Sequence, residues 1–181
     1  MVHMAKEEYA VILDFLPQGY AGARFREPVA QAIGETFFSL LELIPKEDAY
    51  LKQGERVYIG DGKRDKVKLI KRRLRLSELT NVASGNLDEI LIDLIKKNEQ
   101  NILNFFNKAG TVTPRLHQLE LLPGVGKIYV ESIIRNRPYM SFEELSQKTE
   151  LPDPAKIIKR RILDELTGNE KYYIFTRPMK V

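Results

Sequence analysis

Leu122-Pro123-Gly124-Val125-Gly126-Lys127 lies between two apolar patterns of helical spacing. Leu116, Leu119 and Leu122 lead into it, and Ile128, Val130, Ile133 and Ile134 follow it. A proline and two glycines at such a junction predict a tight turn between helices, because glycine tolerates positive φ and lets backbone approach a ligand closely. The second helix then begins at the turn. Its free amides and the positive end of its dipole point at whatever docks there, an arrangement suited to a phosphate oxygen. Lys127 adds a mobile positive charge at the same spot.

Upstream of this corner the chain reads as β. Tyr9 to Phe15 is an apolar run closed by Pro17, and Glu35 to Ile44 is nearly continuous in apolar residues, compatible with strand or helix. Arg56 to Ile59 and Asp65 to Leu74 flank Gly60-Asp61-Gly62, which predicts a hairpin. Short strands at this spacing suggest a small barrel or sandwich. Asn86 to Asn107 is the clearest helical pattern, with Asn86 as expected N-cap and Glu89 three residues on. Beyond Pro114, shorter helices are broken at Pro123, Pro138 and Pro152. Tyr172, Ile174 and Thr176 form one face of an expected terminal strand.

The run Leu122 to Gly126, with the apolar helix after it, resembles the hairpin of the helix-hairpin-helix family of nucleic-acid-binding motifs. The resemblance implies that Gly124, Val125, Gly126 and Lys127 bind the sugar–phosphate backbone without reading sequence. A second copy aligns at an offset of 29, pairing Pro123 with Pro152, Lys127 with Lys156, Ile128 with Ile157 and Ile133 with Ile162. Gly124, Val125 and Gly126 become Asp153, Pro154 and Ala155 there, so that copy loses its glycine freedom. Lys156, Lys159, Arg160 and Arg161 cluster beside it and offer a grip by side chains instead.

The other concentrated feature is charge. Lys63, Arg64, Lys66, Lys68, Lys71, Arg72, Arg73 and Arg75 stand against Asp65 alone, in a chain whose net charge is only +4. A basic strand beside Tyr58, Phe37 or Phe38 is how small barrels hold single-stranded nucleic acid, with charges on phosphates and rings on bases; the bland alternatives are a solvated barrel face and core phenylalanines.

Composition narrows the classes. The 181 residues are 43% hydrophobic and 30% charged, an ordinary globular balance. The absence of cysteine removes disulfides, thiol nucleophiles and cysteine-held metals. His3 and His117 are far apart, so neither a metal site nor a Ser/His pair is expected, and no cofactor is. No apolar run is long enough to span a bilayer, and a cytoplasmic protein is expected. Val2, His3 and Met4 read equally as a remnant before the natural start or as native sequence. Gly124-Val125-Gly126-Lys127 is not a P-loop, since Leu121 and Ile128 stand where that motif needs Gly and Ser or Thr. Helix-hairpin-helix glycosylases carry a catalytic Lys where this chain has Ile128, followed by an Asp, and no Asp lies between Lys127 and Asp153. No enzyme is expected.

The order of elements, with Tyr58-Ile59-Gly60-Asp61-Gly62-Lys63-Arg64-Asp65, resembles over nearly its full length an archaeal family catalogued as domain of unknown function 655. That family is described as a predicted nucleotide- or RNA-binding protein. The expectation is therefore an α+β chain. Residues 1–80 form a small oligonucleotide-binding-like β-barrel, 81–110 a bridging helix and 111–168 an all-α tandem helix-hairpin-helix domain. Residues 169–181 supply a strand returning to the barrel. The expected partner is RNA or DNA, bound weakly sequence-specifically; the alternative is a non-enzymatic adaptor using the helical domain for protein contacts. Oligomeric state is not legible.

Overall fold

A computed structural model describes residues 6–179; Val2, His3 and Met4 lie outside the described residues. The chain divides into two units, residues 1–90 with 164–181, and residues 91–163.

The first unit is a curled, five-stranded antiparallel half-barrel sheet. Its strands are β1 (Tyr9–Leu16), β2 (Val29–Gly34), β3 (Leu40–Pro45), β4 (Arg56–Tyr58) and β5 (Val67–Arg73), in the order β4-β1-β2-β3-β5. The ambiguous Glu35–Ile44 segment thus splits into a turn and a strand, with buried Phe38 at φ 55° between them. Alternate residues Ala10, Ile12, Ala30, Ala32, Leu41, Leu43 and Val57 face one apolar core, as the period of two requires.

The expected hairpin is corrected here: β4 and β5 lie at opposite edges of the sheet, and the Gly60–Gly62 segment crosses between them. Neither glycine adopts positive φ. Both are needed for close approach, because a Cβ would stand 2.5 Å from the Tyr58 hydroxyl at Gly60 and 2.9 Å at Gly62. The Gly62 amide donates to that hydroxyl at 2.9 Å. Strand β5 instead joins β3, where Arg72 lies opposite Glu42 and donates to it at 3.2 Å.

Every residue of β2 is buried, so both faces of the sheet are covered there. On the face away from the core, Gln31 donates to the Glu78 carbonyl at 3.1 Å and accepts from the Thr80 amide at 2.8 Å. The Thr80 hydroxyl donates to Asp14 at 2.6 Å and accepts from the Ala83 amide at 3.0 Å. Thr80 is therefore the N-cap of α1 (Asn81–Lys97). The expected cap, Asn86, lies inside that helix and donates to the Leu13 carbonyl at 2.9 Å. The single Asn86–Asn107 helix is also corrected: it breaks at Asn98, whose side chain donates to the Leu94 carbonyl at 2.8 Å, and α2 spans Glu99–Lys108. An asparagine that bonds its own backbone competes with the helix ladder.

The second unit contains α2, a hairpin of β6 (Thr111–Thr113) and β7 (Leu116–His117), and helices α3 (Lys127–Asn136), α4 (Phe142–Thr149) and α5 (Pro154–Leu166), of which the last three residues belong to the first unit. The helix expected before the glycine corner is corrected to β7 and one 3₁₀ turn, Gln118–Leu121. Leu119, Leu122, Val130, Ile133, Leu145, Ile158 and Ile162 fill its core.

The terminal strand is corrected as well, since residues 169–179 form none. They fold back on the first unit in irregular conformation, held by one carboxylate. Glu165, 2% exposed, accepts through a single oxygen from the amides of Ile174 and Phe175 (both 3.1 Å) and from the amide and hydroxyl of Thr176 (both 3.0 Å). Three successive amides aimed at one oxygen cannot also serve a β-ladder, which is why the alternation at Tyr172, Ile174 and Thr176 does not become a strand. Glu165→Ala strands these buried donors and is expected to cost about 3 kcal/mol in urea unfolding. Protease cleavage within 169–179 should arise in the same variant; an unchanged midpoint with no new cleavage would refute the role.

Candidate nucleic-acid interface

The glycine corner is open. Gly124 has φ +78°, a conformation that favours glycine, whereas Gly126 sits at φ −94°, ψ −174° as N-cap of α3. Both are exposed, and a Cβ built at either meets nothing within 4 Å. Gly126 has no side chain to cap the helix, and the first intrahelical bond is Val130 to the Gly126 carbonyl at 3.0 Å. The amides of Lys127 and Ile128 have no acceptor among the described residues, and Lys127 is exposed beside them. Val125 is corrected from ligand to core: it is 4% exposed, its amide bonded to the Leu122 carbonyl at 3.1 Å. Ile128, expected on the apolar face of α3, is 84% exposed next to the corner.

The second corner has the same outline with its anion position already filled. Asp153, at φ 37°, turns its carboxylate onto the Lys156 amide at 3.3 Å, so the start of α5 is capped by the chain itself. Lys156 and Arg160 are exposed four residues apart on one face of α5, and Lys159 is half-buried. Arg161 is buried and donates to the Leu121 carbonyl at 3.2 Å, bracing the segment that leads into the first corner.

In the first unit the basic run divides into two kinds of residue. Lys63, Lys68 and Lys71 are exposed with no partner among the described residues, and β5 is an edge strand. Lys66 pairs with Glu55. Arg72 reaches Glu42 at 3.2 Å and Glu78 at 3.1 Å. Burial opposes its charge, but the bonds to Glu78 and Glu42 carry its pKa above the ordinary arginine value. Arg73 donates to the carbonyl of Arg177 at 2.9 Å and of Pro178 at 3.4 Å. Lys66, Arg72 and Arg73 are thus committed to the fold, a correction to the free basic strand expected.

Beside them opens a cleft of about 590 Å³. Arg64, Arg73, Arg177, Phe37, Tyr58 and Ile70 are among its walls. The Arg177 guanidinium lies 3.9 Å from the centre of the Phe37 ring. Arg64 is tethered by Nε to the Gly60 carbonyl at 2.8 Å. Burial lowers the Arg73 pKa, with Glu7 opposing and Arg177 adding to the effect. Glu7 turns its carboxylate onto the amides of Thr36 (2.9 Å), Phe37 (2.7 Å) and Ser39 (3.4 Å). Burial raises its pKa against those three bonds.

Most of the chain matches known sequences closely enough to place it. Residues 6–177 match the family model described as "Protein of unknown function (DUF655)". The chain belongs to the DUF655 family. A relative in Methanocaldococcus jannaschii, the uncharacterized protein MJ0038, is 40% identical over 175 residues, covering 94% of this chain and 80% of the relative. A solved structure described as Af1531 of Archaeoglobus fulgidus, also assigned to DUF655, aligns with a TM-score of 0.86 at 42% identity. That alignment covers 94% of this chain and all of the other.

Two features of this DUF655 chain were hidden in its sequence. Arg177 is remote from the basic run and enters the cleft only because the C-terminal segment folds back. The β6–β7 hairpin lines a second hollow with Lys127, His117 and Glu120. There the His117 imidazole Nδ1 accepts from the Leu119 amide at 3.1 Å and caps the 3₁₀ turn. Burial, then the Arg137 charge, lower its pKa from 6.5, with Glu120 opposing. A depressed folded-state pKa means that the stabilisation is complete above the ordinary value near 6.5 and is lost as pH falls through the folded value. An NMR titration of His117 should give a midpoint below that of an unfolded histidine, with the melting temperature falling over the same interval. His117→Asn keeps a capping acceptor without titrating and should flatten that fall.

Proposed function

We propose that this DUF655 protein binds nucleic acid, RNA or DNA, through its backbone, with weak sequence preference and no catalysis. The observation that carries this is the corner at Gly124–Lys127. Unbonded amides at a helix start, exposed glycines with open space around them and a free lysine together form an anion seat. A phosphodiester oxygen satisfies the amides without displacing any protein group. The contrast with the second corner supports it: the same chain closes that seat with Asp153 and leaves this one open. A helix-hairpin-helix role follows for the corner, although its first arm is only a 3₁₀ turn. A second basic surface, of the oligonucleotide-binding kind, runs along Lys63, Lys68 and Lys71 on the edge of the half-barrel. Lys156 and Arg160 add charge on α5.

The second reading, a protein-binding adaptor, is favoured by one observation: Ile128, Ile134 and Met140 are exposed on the helical unit. Filter binding of single- and double-stranded RNA and DNA at two salt concentrations separates the readings, since an adaptor retains none of them.

Gly126→Val fits the local backbone and open space, so it should leave the fold intact while covering the amides and weakening binding about tenfold. Unchanged affinity in the folded variant would remove the corner from the interface. Replacing Lys63, Lys68 and Lys71 together by Gln should flatten the dependence of log K on log salt, by roughly one unit for each phosphate that is no longer neutralised. An unaltered slope would place β5 outside the interface.

A further inference from the structure

The cleft of the first unit is built differently from the open surfaces around it. Its volume of about 590 Å³ falls in the range of small-ligand sites and suits one nucleotide. Three guanidiniums border it, and none forms an ion pair with a carboxylate among the described residues. Arg64 is held by Nε, leaving its two terminal nitrogens without an acceptor among the described residues. The Arg177 guanidinium sits over the Phe37 ring, and its nitrogens have no acceptor among them either. Arg73 spends its terminal nitrogens on backbone carbonyls, and its Nε is closed to solvent with no hydrogen-bond partner. A positive charge held this way is stabilised by an anion nearby.

The acids in the same wall meet that demand only in part: the Glu7 charge supports Arg73, but none of them pairs with a guanidinium of the cleft among the described residues. The Glu7 carboxylate is committed to three amides, Asp61 stands 3.9 Å from Lys6, and Glu8 is exposed. The geometry is also held in advance. Glu7 fixes the amide of Phe37, and Glu165 fixes Thr176, the residue before Arg177. Each side of the Arg177–Phe37 stack is therefore anchored by a buried carboxylate on backbone. Tyr58 and half-exposed Ile70 supply flat and apolar surface for a base.

We propose that this cleft binds a nucleoside phosphomonoester, presented as the phosphorylated end of a strand, with Arg64 and Arg177 on the phosphate and Tyr58 and Ile70 against the base. The strand end rests on the nucleic-acid reading above; the phosphomonoester chemistry rests on the cleft. Two guanidiniums on one group, with the Arg73 charge in the same wall, favour a dianionic monoester over the monoanionic diester of an internal linkage. Free nucleotide carries the same chemistry, so the test includes it.

The experiment compares short single strands with a phosphate or a hydroxyl at the 5′ or the 3′ end by fluorescence anisotropy, and AMP by calorimetry. The wild-type protein should prefer a phosphorylated end about tenfold. Arg177→Gln and Arg64→Gln should each abolish that preference, with circular dichroism confirming the fold. Gly126→Val should weaken both ends alike and keep the preference. Strands bound equally well with either end would overturn the cleft assignment and leave the nucleic-acid reading standing. AMP bound in an Arg177-dependent manner, with no strand bound, would keep the phosphomonoester chemistry, assign it to free nucleotide and overturn the nucleic-acid reading. Binding of neither would overturn both.

Discussion

Two buried carboxylates, Glu7 and Glu165, hold the first unit in its working shape by the same device. Each takes backbone amides that no strand or helix can satisfy: Thr36, Phe37 and Ser39 for one, Ile174, Phe175 and Thr176 for the other. A buried amide without an acceptor is costly, and irregular chain produces several in a row. A single carboxylate satisfies them together and so fixes a turn that has no regular structure of its own. The Arg177–Phe37 stack, and with it the cleft, depends on both.

The two corners of the helical unit show one local shape closed in one copy and open in the other. Both put a proline before a residue with positive φ and then start a helix. At Asp153 the chain brings its own anion to the helix start, and the corner is complete. At Gly124 and Gly126 it brings none, and the amides are left to the surroundings. The difference between a closed corner and an open one is a matter of a few atoms, carried by side chains that are present in one copy and absent in the other.

Charge along the chain and charge available to a partner turned out to be different quantities. The run from Lys63 to Arg75 is strongly basic in sequence, yet Glu55, Glu42 and Glu78 neutralise Lys66 and Arg72, and backbone carbonyls take Arg73. None of those partners is adjacent in sequence. The lysines of the run that remain free among the described residues are Lys63, in the segment before β5, and Lys68 and Lys71 on that edge strand.

Local physics was readable without coordinates. The apolar run of β1, the steric meaning of Gly124, the helical period of α3 to α5 and the loss of glycine freedom at Asp153 all follow from residue types within a few positions of one another. What required the tertiary structure was every choice among distant partners. Gly60-Asp61-Gly62 looked like a hairpin because glycines commonly make one; instead they admit the Tyr58 ring, and β5 pairs with β3. Asn86 looked like a cap, but Thr80 is placed by Asp14 and Gln31 to do that work. Tyr172 to Thr176 alternated like a strand until Glu165 claimed its amides. Backbone propensity is set by neighbours in sequence, whereas hydrogen-bond partners and buried charges are set by whatever the fold brings within about 3 Å, and that distance carries no signature in the order of residues.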